Sequence, residues 1–352
     1  MKKLIALILL LATLALAITS CNTNGNLPNT DNDNSGNNGN NESESVTIKI
    51  AYMNGPTGMG MAKLIHDNGG IDGNEKYQFI KYSDASLATA DLVTGNVDMA
   101  CIPTNTAATL YNKTQKVNVL ALNCLNSLFI MTKTGTVIND ISDLEGKTIY
   151  TIQNGTPAVI LKHLLEESGV NATVKTSFGE GDDEKEITAP TDLAPLLIAG
   201  NVDIALVPEP VATAAPLKIA SQNKDYTYTV AIDLTDAWNE ISDSPVAMGC
   251  IIANKNFVDK NKSAVDAFLD EYKLSIEYIS SLNNLDASAK YVVDAGVLDA
   301  VPAAKKSIIN LGDAIAYIDG EEMQTTLIEF YNAIGLNLVG GKLPDNEFYY
   351  EK

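Results

Sequence analysis

Two short turns in the sequence carry residue types that can hold a small molecule through main chain rather than through charge. The first, "NGPTGMG", begins at Asn54 behind an apolar run. Asn54, Gly55, Thr57 and Gly58 let backbone approach closely, and the N-terminus of the helix that follows would offer unpaired N–H groups and a partial positive charge. The second, "NGTP", does the same with Asn154, Gly155 and Thr156, aiming another helix N-terminus at the same space. Neither turn ends in Gly-Lys-Ser/Thr, so nucleotide hydrolysis is not indicated; an ordinary Gly-rich turn is the alternative reading of the first. All 24 Lys+Arg residues are lysine. A bidentate Arg grip on a carboxylate or phosphate is therefore absent, and an anionic ligand must be met by N–H groups, hydroxyls, amides or Lys.

A repeated phrase supplies further candidates. "LVTGNVDMACIPTNTAATL" starts at Leu92, and "LIAGNVDIALVPEPVATAA" starts at Leu197. Thr104 and Asn105 follow the first strand-like run, and Glu209 occupies the place of Thr104 in the second copy. A Glu at that edge could accept from a ligand N–H, or it could be a solvated carboxylate on a rim. Tyr52 and Tyr82, at the ends of strand-like runs facing the expected cleft, could stack on a ring, although a strand Tyr is more often a core residue. Trp238, the one Trp, sits in a polar stretch ahead of Ser244 and reads as a lid anchor or a surface staple.

The elements that must position these residues follow from the pattern. In each copy of the repeat, Gly95 or Gly200 caps a helix, a short continuous apolar run forms a strand covered on both faces, and Pro103 or Pro208 ends it. "VTIKIAY", the first Gly-rich turn, "YQFIKYS" and the first copy read as a βαβαβ lobe. From Thr148 the order recurs as "TIYTIQ", "NGTPAVILKHLLEESG", "ATVKTSF", a polar insertion "GEGDDEKEITAP" and the second copy. Thr156 as N-cap, Pro157 at the first helical position and Lys162 with Glu166 at i,i+4 support the helix there. The fold class is thus α/β, two similar lobes, each a mainly parallel sheet flanked by helices. Ligands of such sheets sit at the carboxyl ends of the strands, where the turns lie.

Residues 1–21, "MKKLIALILLLATLALAITSC", read as an export signal: two lysines, an apolar run too short to span a bilayer, then small residues before Cys21. Residues 22–45 are rich in Asn, Gly, Asp and Ser with almost nothing to bury, and read as a tether. About 300 residues then remain, more than one core usually holds. The net charge of −20 argues against nucleic acid or anionic lipid as a partner. Cys101, Cys124 and Cys250 lie in apolar runs without C-x-x-C spacing and read as buried free thiols. With only His66 and His163, a metal site or a catalytic triad has little material, and no cofactor is implied.

The chain resembles the ABC-transporter solute-binding proteins of the nitrate/sulfonate/taurine and thiamine-precursor type, which share the type II periplasmic-binding fold. The resemblance is carried by the second copy with its Glu-Pro, by "ISDLEGKTIYTIQNGTPAVIL", and by "MGCIIANKNFVDKNKSAVDAFLDEY", in the family's order. It implies lobe I from 46–126 plus 249–352 and lobe II from 127–248. Two crossover strands form a hinge, the chain leaving near Asn126 and returning near residues 247–249. Ile18-Thr19-Ser20-Cys21 resembles a lipobox, implying lipidation of Cys21 and a membrane-anchored protein outside the cytoplasm. The partners implied are a small-molecule ligand, an ABC permease and its ATPase, with the protein a monomer. The missing Arg leaves two ligand classes: a small sulfonate or oxyanion cradled by helix N-termini and hydroxyls, or a neutral to cationic heteroaromatic ring such as a thiamine-type pyrimidine stacked on Tyr and held by Glu209. Glu209, the tyrosines and the missing Arg favour the second. Alternatives are a sensory or adhesive lipoprotein using the same clamshell, or a pyrimidine-precursor synthase-like enzyme, whose Cys-rich motif is missing here. The expectation is therefore a binding protein and not an enzyme.

Overall fold

The computed structural model describes residues 46–153, 156–242 and 244–352. The expected signal, Cys21 and tether, together with Asn154 and Gly155, lie outside the described residues. The first part of the chain runs β1 (Ile48–Met53), α1 (Pro56–Asp67), β2 (Tyr77–Tyr82), α2 (Ala85–Thr94), β3 (Met99–Pro103), α3 (Thr104–Thr114) and β4 (Val117–Leu125). Next come β5 (Leu128–Lys133), β6 (Thr148–Tyr150), α4 (Thr156–Glu167), β7 (Thr173–Lys175), β8 (Ser177–Phe178), β9 (Lys185–Glu186), α5 (Pro190–Ala199), β10 (Ile204–Pro208), α6 (Val211–Ser221), β11 (Tyr228–Asp233) and α7 (Leu234–Asn239). The chain closes with β12 (Ala247–Asn254), α8 (Lys255–Lys260), α9 (Lys262–Ser280), α10 (Leu285–Asp294), α11 (Val301–Leu311) and α12 (Gly320–Ile334).

These strands form two five-stranded sheets, ordered β2-β1-β3-β12-β4 and β11-β5-β10-β6-β7. Each sheet contains one strand antiparallel to both its neighbours, β12 in the first and β5 in the second. Both reversed strands are the ones by which the chain enters a sheet from the other. A chain that leaves one sheet at the carboxyl ends of its strands arrives at the matching end of the other, so its next strand must run backwards. The rest of each sheet is parallel, as the apolar runs predict, and β4 is buried along its whole length.

The repeat is structural. Gly95 (φ 79°) and Gly200 (φ 73°) take the left-handed conformation that ends α2 and α5, each with its N–H on the last carbonyls of the helix. Close packing explains another glycine: a Cβ at Gly58 would stand 1.9 Å from the Met53 carbonyl oxygen, so only Gly lets α1 fold back on β1. The three cysteines are buried and free, and burial pushes the Cys101 and Cys124 thiols up to about 12.

The polar insertion departs from expectation. The strand expected over "ATVKTSF" breaks at Thr176 into β7 and β8, and β8 pairs with β9 from the insertion as a small antiparallel hairpin. Gly179 (φ 109°) and Gly181 (φ 58°) allow that turn. The strand expected over "TIYTIQ" is shorter, ending at Tyr150.

Candidate functional site

Turns from the two lobes touch at two places, each pairing a turn expected at the cleft with the end of one of the repeated strands. Thr156, expected as an N-cap, is instead the first residue of α4, and its Oγ1 donates to Asn105 Oδ1 at the start of α3 (3.2 Å). Gly55 (φ 101°) lies with its Cβ position 3.8 Å from the Glu209 carbonyl oxygen, so the Gly-rich turn after β1 abuts the Glu-Pro turn after β10. Trp238 on α7 sets its ring against Phe330 on α12, edge-on at 6.1 Å.

Glu209 is the most heavily engaged of the predicted residues. Its side chain is 1 % exposed. Oε1 accepts from Thr213 Oγ1 (2.8 Å) and Asn310 Nδ2 (2.9 Å), and Oε2 from the Thr213 N–H (3.3 Å) and Ser307 Oγ (3.2 Å). Burial raises the carboxyl above its ordinary value, against the pull of these donors. The expectation that Glu209 holds a ligand is corrected here: its oxygens are occupied by protein.

The expectations for Tyr52 and Trp238 are corrected too, and Tyr82 keeps a half-buried ring. Tyr52 is buried in the first lobe's core and its hydroxyl donates to the Ala295 carbonyl (2.9 Å), so no ring face is free to stack. Tyr82 donates to Asp91 on the neighbouring α2 (2.6 Å); burial and then that carboxylate push its hydroxyl up to about 12. Trp238 is fully buried and its Nε1 donates to the Ser244 carbonyl (2.7 Å), which makes it a core staple and not a lid anchor. Ser244 is buried, with an Oγ that has no partner among the described residues.

Of the polar turn residues, Asn54 is exposed, and Thr57 is half-buried over Gly249, where a Cβ would stand 2.4 Å from Thr57 Cγ2. Gly58 serves the β1–α1 packing already described rather than a ligand. Thr104 is buried, and its Oγ1 donates to the Ala247 carbonyl (2.5 Å), holding the start of α3 to β12 inside one lobe. Asn126 takes a positive φ (34°) at the crossing, where its N–H and Oδ1 bond Val246 (3.0 and 2.9 Å) on the returning chain. It ties the two crossings together.

Sequence reasoning missed Ser307 and Asn310, because "AAKKSIIN" looks like ordinary helix; the signal was two small polar residues at i,i+3 on one helix face. It also missed Asn123, fully buried on β4 beside Gly249. Asn123 Nδ2 donates to Tyr272 Oη (3.1 Å), while Oδ1 has no partner among the described residues. Thr57, Asn123 and Gly249 thus surround a polar spot next to the start of α1.

Among the described residues there is no group of three or more His, Cys, Asp or Glu placed to hold a metal, and no helix long and apolar enough to cross a membrane. A cavity of about 470 Å³ lined by residues such as Leu120, Leu269, Glu321 and Lys352 shares no residue with the interlobe contacts. We place the site by the convergence of turns, since those turns come from both lobes.

Comparison with known proteins agrees with this architecture. Residues 125–281 match the family model described as NMT1/THI5 like. An ABC transporter structure from Parabacteroides distasonis superimposes with a TM-score of 0.69 at 22% identity, covering 87% of this chain and 99% of that one. The periplasmic aliphatic sulphonate binding protein SsuA from Escherichia coli gives 0.64 at 15% identity over 87% and 92% of the two chains. The periplasmic nitrate-binding protein NrtA from Synechocystis PCC 6803 gives 0.54 at 16% identity over 80% and 75%. No curated protein matches the chain. The chain has the two-lobed fold of the type II periplasmic-binding proteins, as the sequence resemblance implies.

Proposed function

We propose that this chain is the extracytoplasmic, lipid-anchored solute-binding component of an ABC importer, with lobes 46–126 plus 249–352 and 127–248. It captures a small molecule between the lobes and hands it to a permease. The observation that carries this reading is the meeting of turns from opposite lobes: Gly55 against Glu209, and Asn105 bonded to Thr156. A guest held there is gripped from both sides, and closure is favoured only by contacts that exist in the closed form. Binding rather than catalysis fits the histidines, which stack on Tyr291 (3.9 Å) and lie against Trp238 (5.6 Å) on separate helices.

For the ligand, a small sulfonate or oxyanion is favoured. The case for a stacked pyrimidine rested on Tyr52, Tyr82 and Glu209; Tyr52 and Glu209 are buried with their polar atoms on protein, which leaves only the half-buried Tyr82 ring. What remains at the turns is amide, hydroxyl and the N-termini of α1 and α4, the chemistry that cradles an anion without Arg. Titration calorimetry tests this with taurine, ethanesulfonate and nitrate against thiamine and its pyrimidine. Heat from a sulfonate or nitrate alone supports the reading; heat from the pyrimidine alone returns the ligand to the heteroaromatic class.

A further inference from the structure

Glu209 stands at the carboxyl end of β10, in the second lobe, and Thr213, which donates two of its hydrogen bonds, follows on α6. The other two donors come from elsewhere: Ser307 Oγ and Asn310 Nδ2 are on α11. That helix packs on α10, and α10 packs on α1 of the first lobe. Asn310 Nδ2 also lies 2.9 Å from Thr213 Oγ1, so Glu209, Thr213 and Asn310 close a small polar ring across the interface. Ser307 and Asn310 face it from one side of α11, three residues apart.

From this geometry we infer that Glu209 is an interlobe latch, a carboxylate of the second lobe whose keeper, Ser307 and Asn310, rides on the first. The inference rests on the two-lobe binding reading, because closure is the motion the latch would hold. Opening the lobes parts the α11 donors from a carboxylate that is otherwise buried, so the bonds belong to the closed form alone. A residue with no ligand contact then strengthens binding by raising the closed population before ligand arrives. It also explains why a Glu in a ligand-facing position of the repeat has no oxygen to spare.

The test is small-angle X-ray scattering of the chain from Val46 onward, without ligand. Glu209→Ala and Asn310→Ala should shift the closed-to-open ratio toward open by roughly tenfold, the scale of hydrogen bonds to a charged group, read as a larger radius of gyration at unchanged helix content. Glu209→Gln, which keeps one acceptor oxygen and puts an NH2 in place of the other, should fall between the wild type and Glu209→Ala. Asn310 is exposed at the rim, so its variant folds even where Glu209→Ala does not. The latch is overturned if folded Asn310→Ala and Glu209→Ala match the wild type, or if the wild type is already as extended as they are. Scattering is read with no ligand present, so the result stands apart from whether a sulfonate binds.

Discussion

The two Gly-Asn-Val-Asp units build one framework and diverge at the residue after the strand. Behind β3, Thr104 turns its hydroxyl inward to the Ala247 carbonyl and stays within its own lobe. Behind β10, Glu209 reaches across to α11. The aspartates of the repeat differ as well: Asp98 accepts the Lys49 N–H (2.8 Å) and secures β1, while Asp203 is mostly exposed, with Lys133 Nζ at 3.8 Å. The glycine and the apolar run fix where the chain goes, and the residue at the strand end decides whether that lobe is sealed on itself or tied to its partner.

Four substitutions sharpen the contrast. Glu209→Ala strands the Thr213 N–H and the α11 donors and should cost about 2–3 kcal/mol in urea unfolding, the largest loss of the set. Thr104→Val leaves the Ala247 carbonyl without its donor and should cost about 1–2 kcal/mol while leaving the scattering profile unchanged, since its bond lies inside one lobe. A Thr104→Val protein that expands would erase the distinction between the two positions. Asp98→Ala should cost about 1 kcal/mol through the lost Lys49 bond, whereas Asp203→Ala should leave the unfolding midpoint where it is. Equal effects at the two aspartates would show that the repeat is energetically symmetric.

The smallest expected effect is in pH. Burial raises the Glu209 carboxyl, and the groups that hydrogen-bond it, Thr213, Ser307 and Asn310, are all neutral. The part of the stability that is linked to its proton is therefore fully present below the unfolded value, near pH 4.3 for an ordinary Glu, and is lost as pH rises through the higher folded value, while the hydrogen bonds to the carboxylate remain. The stability of Glu209→Gln relative to wild type should grow as pH is raised from about 4 toward neutrality. A difference that is flat with pH would mean that burial does not perturb this carboxyl.

Much of the framework was legible because it is local. Gly95 and Gly200 announce helix ends, and continuous apolar runs announce covered strands, so the two lobes can be read from short windows, whereas their crossings came from the family resemblance. The hairpin over residues 177–186 was hidden because its strands are two residues each, one half-buried and the other exposed, too short for any apolar alternation to betray them. The site was less legible for a different reason. Whether Tyr52 offers a ring or a core hydroxyl depends on Ala295, and whether Glu209 meets a ligand depends on Ser307 and Asn310, all far away in sequence. Residue type at a strand end indicates a capacity to bond; only the fold names the partner.

The central claim is that these lobes enclose a small anionic solute. Native mass spectrometry of the chain from Val46 onward, purified without unfolding and then loaded with a panel of sulfonates and nitrate, addresses it most directly. The account predicts one noncovalent small-molecule adduct per chain that is weakened when Asn105 and Thr156 are replaced together by Ala. A bare polypeptide under every loading condition, or an adduct indifferent to that double substitution, would contradict it.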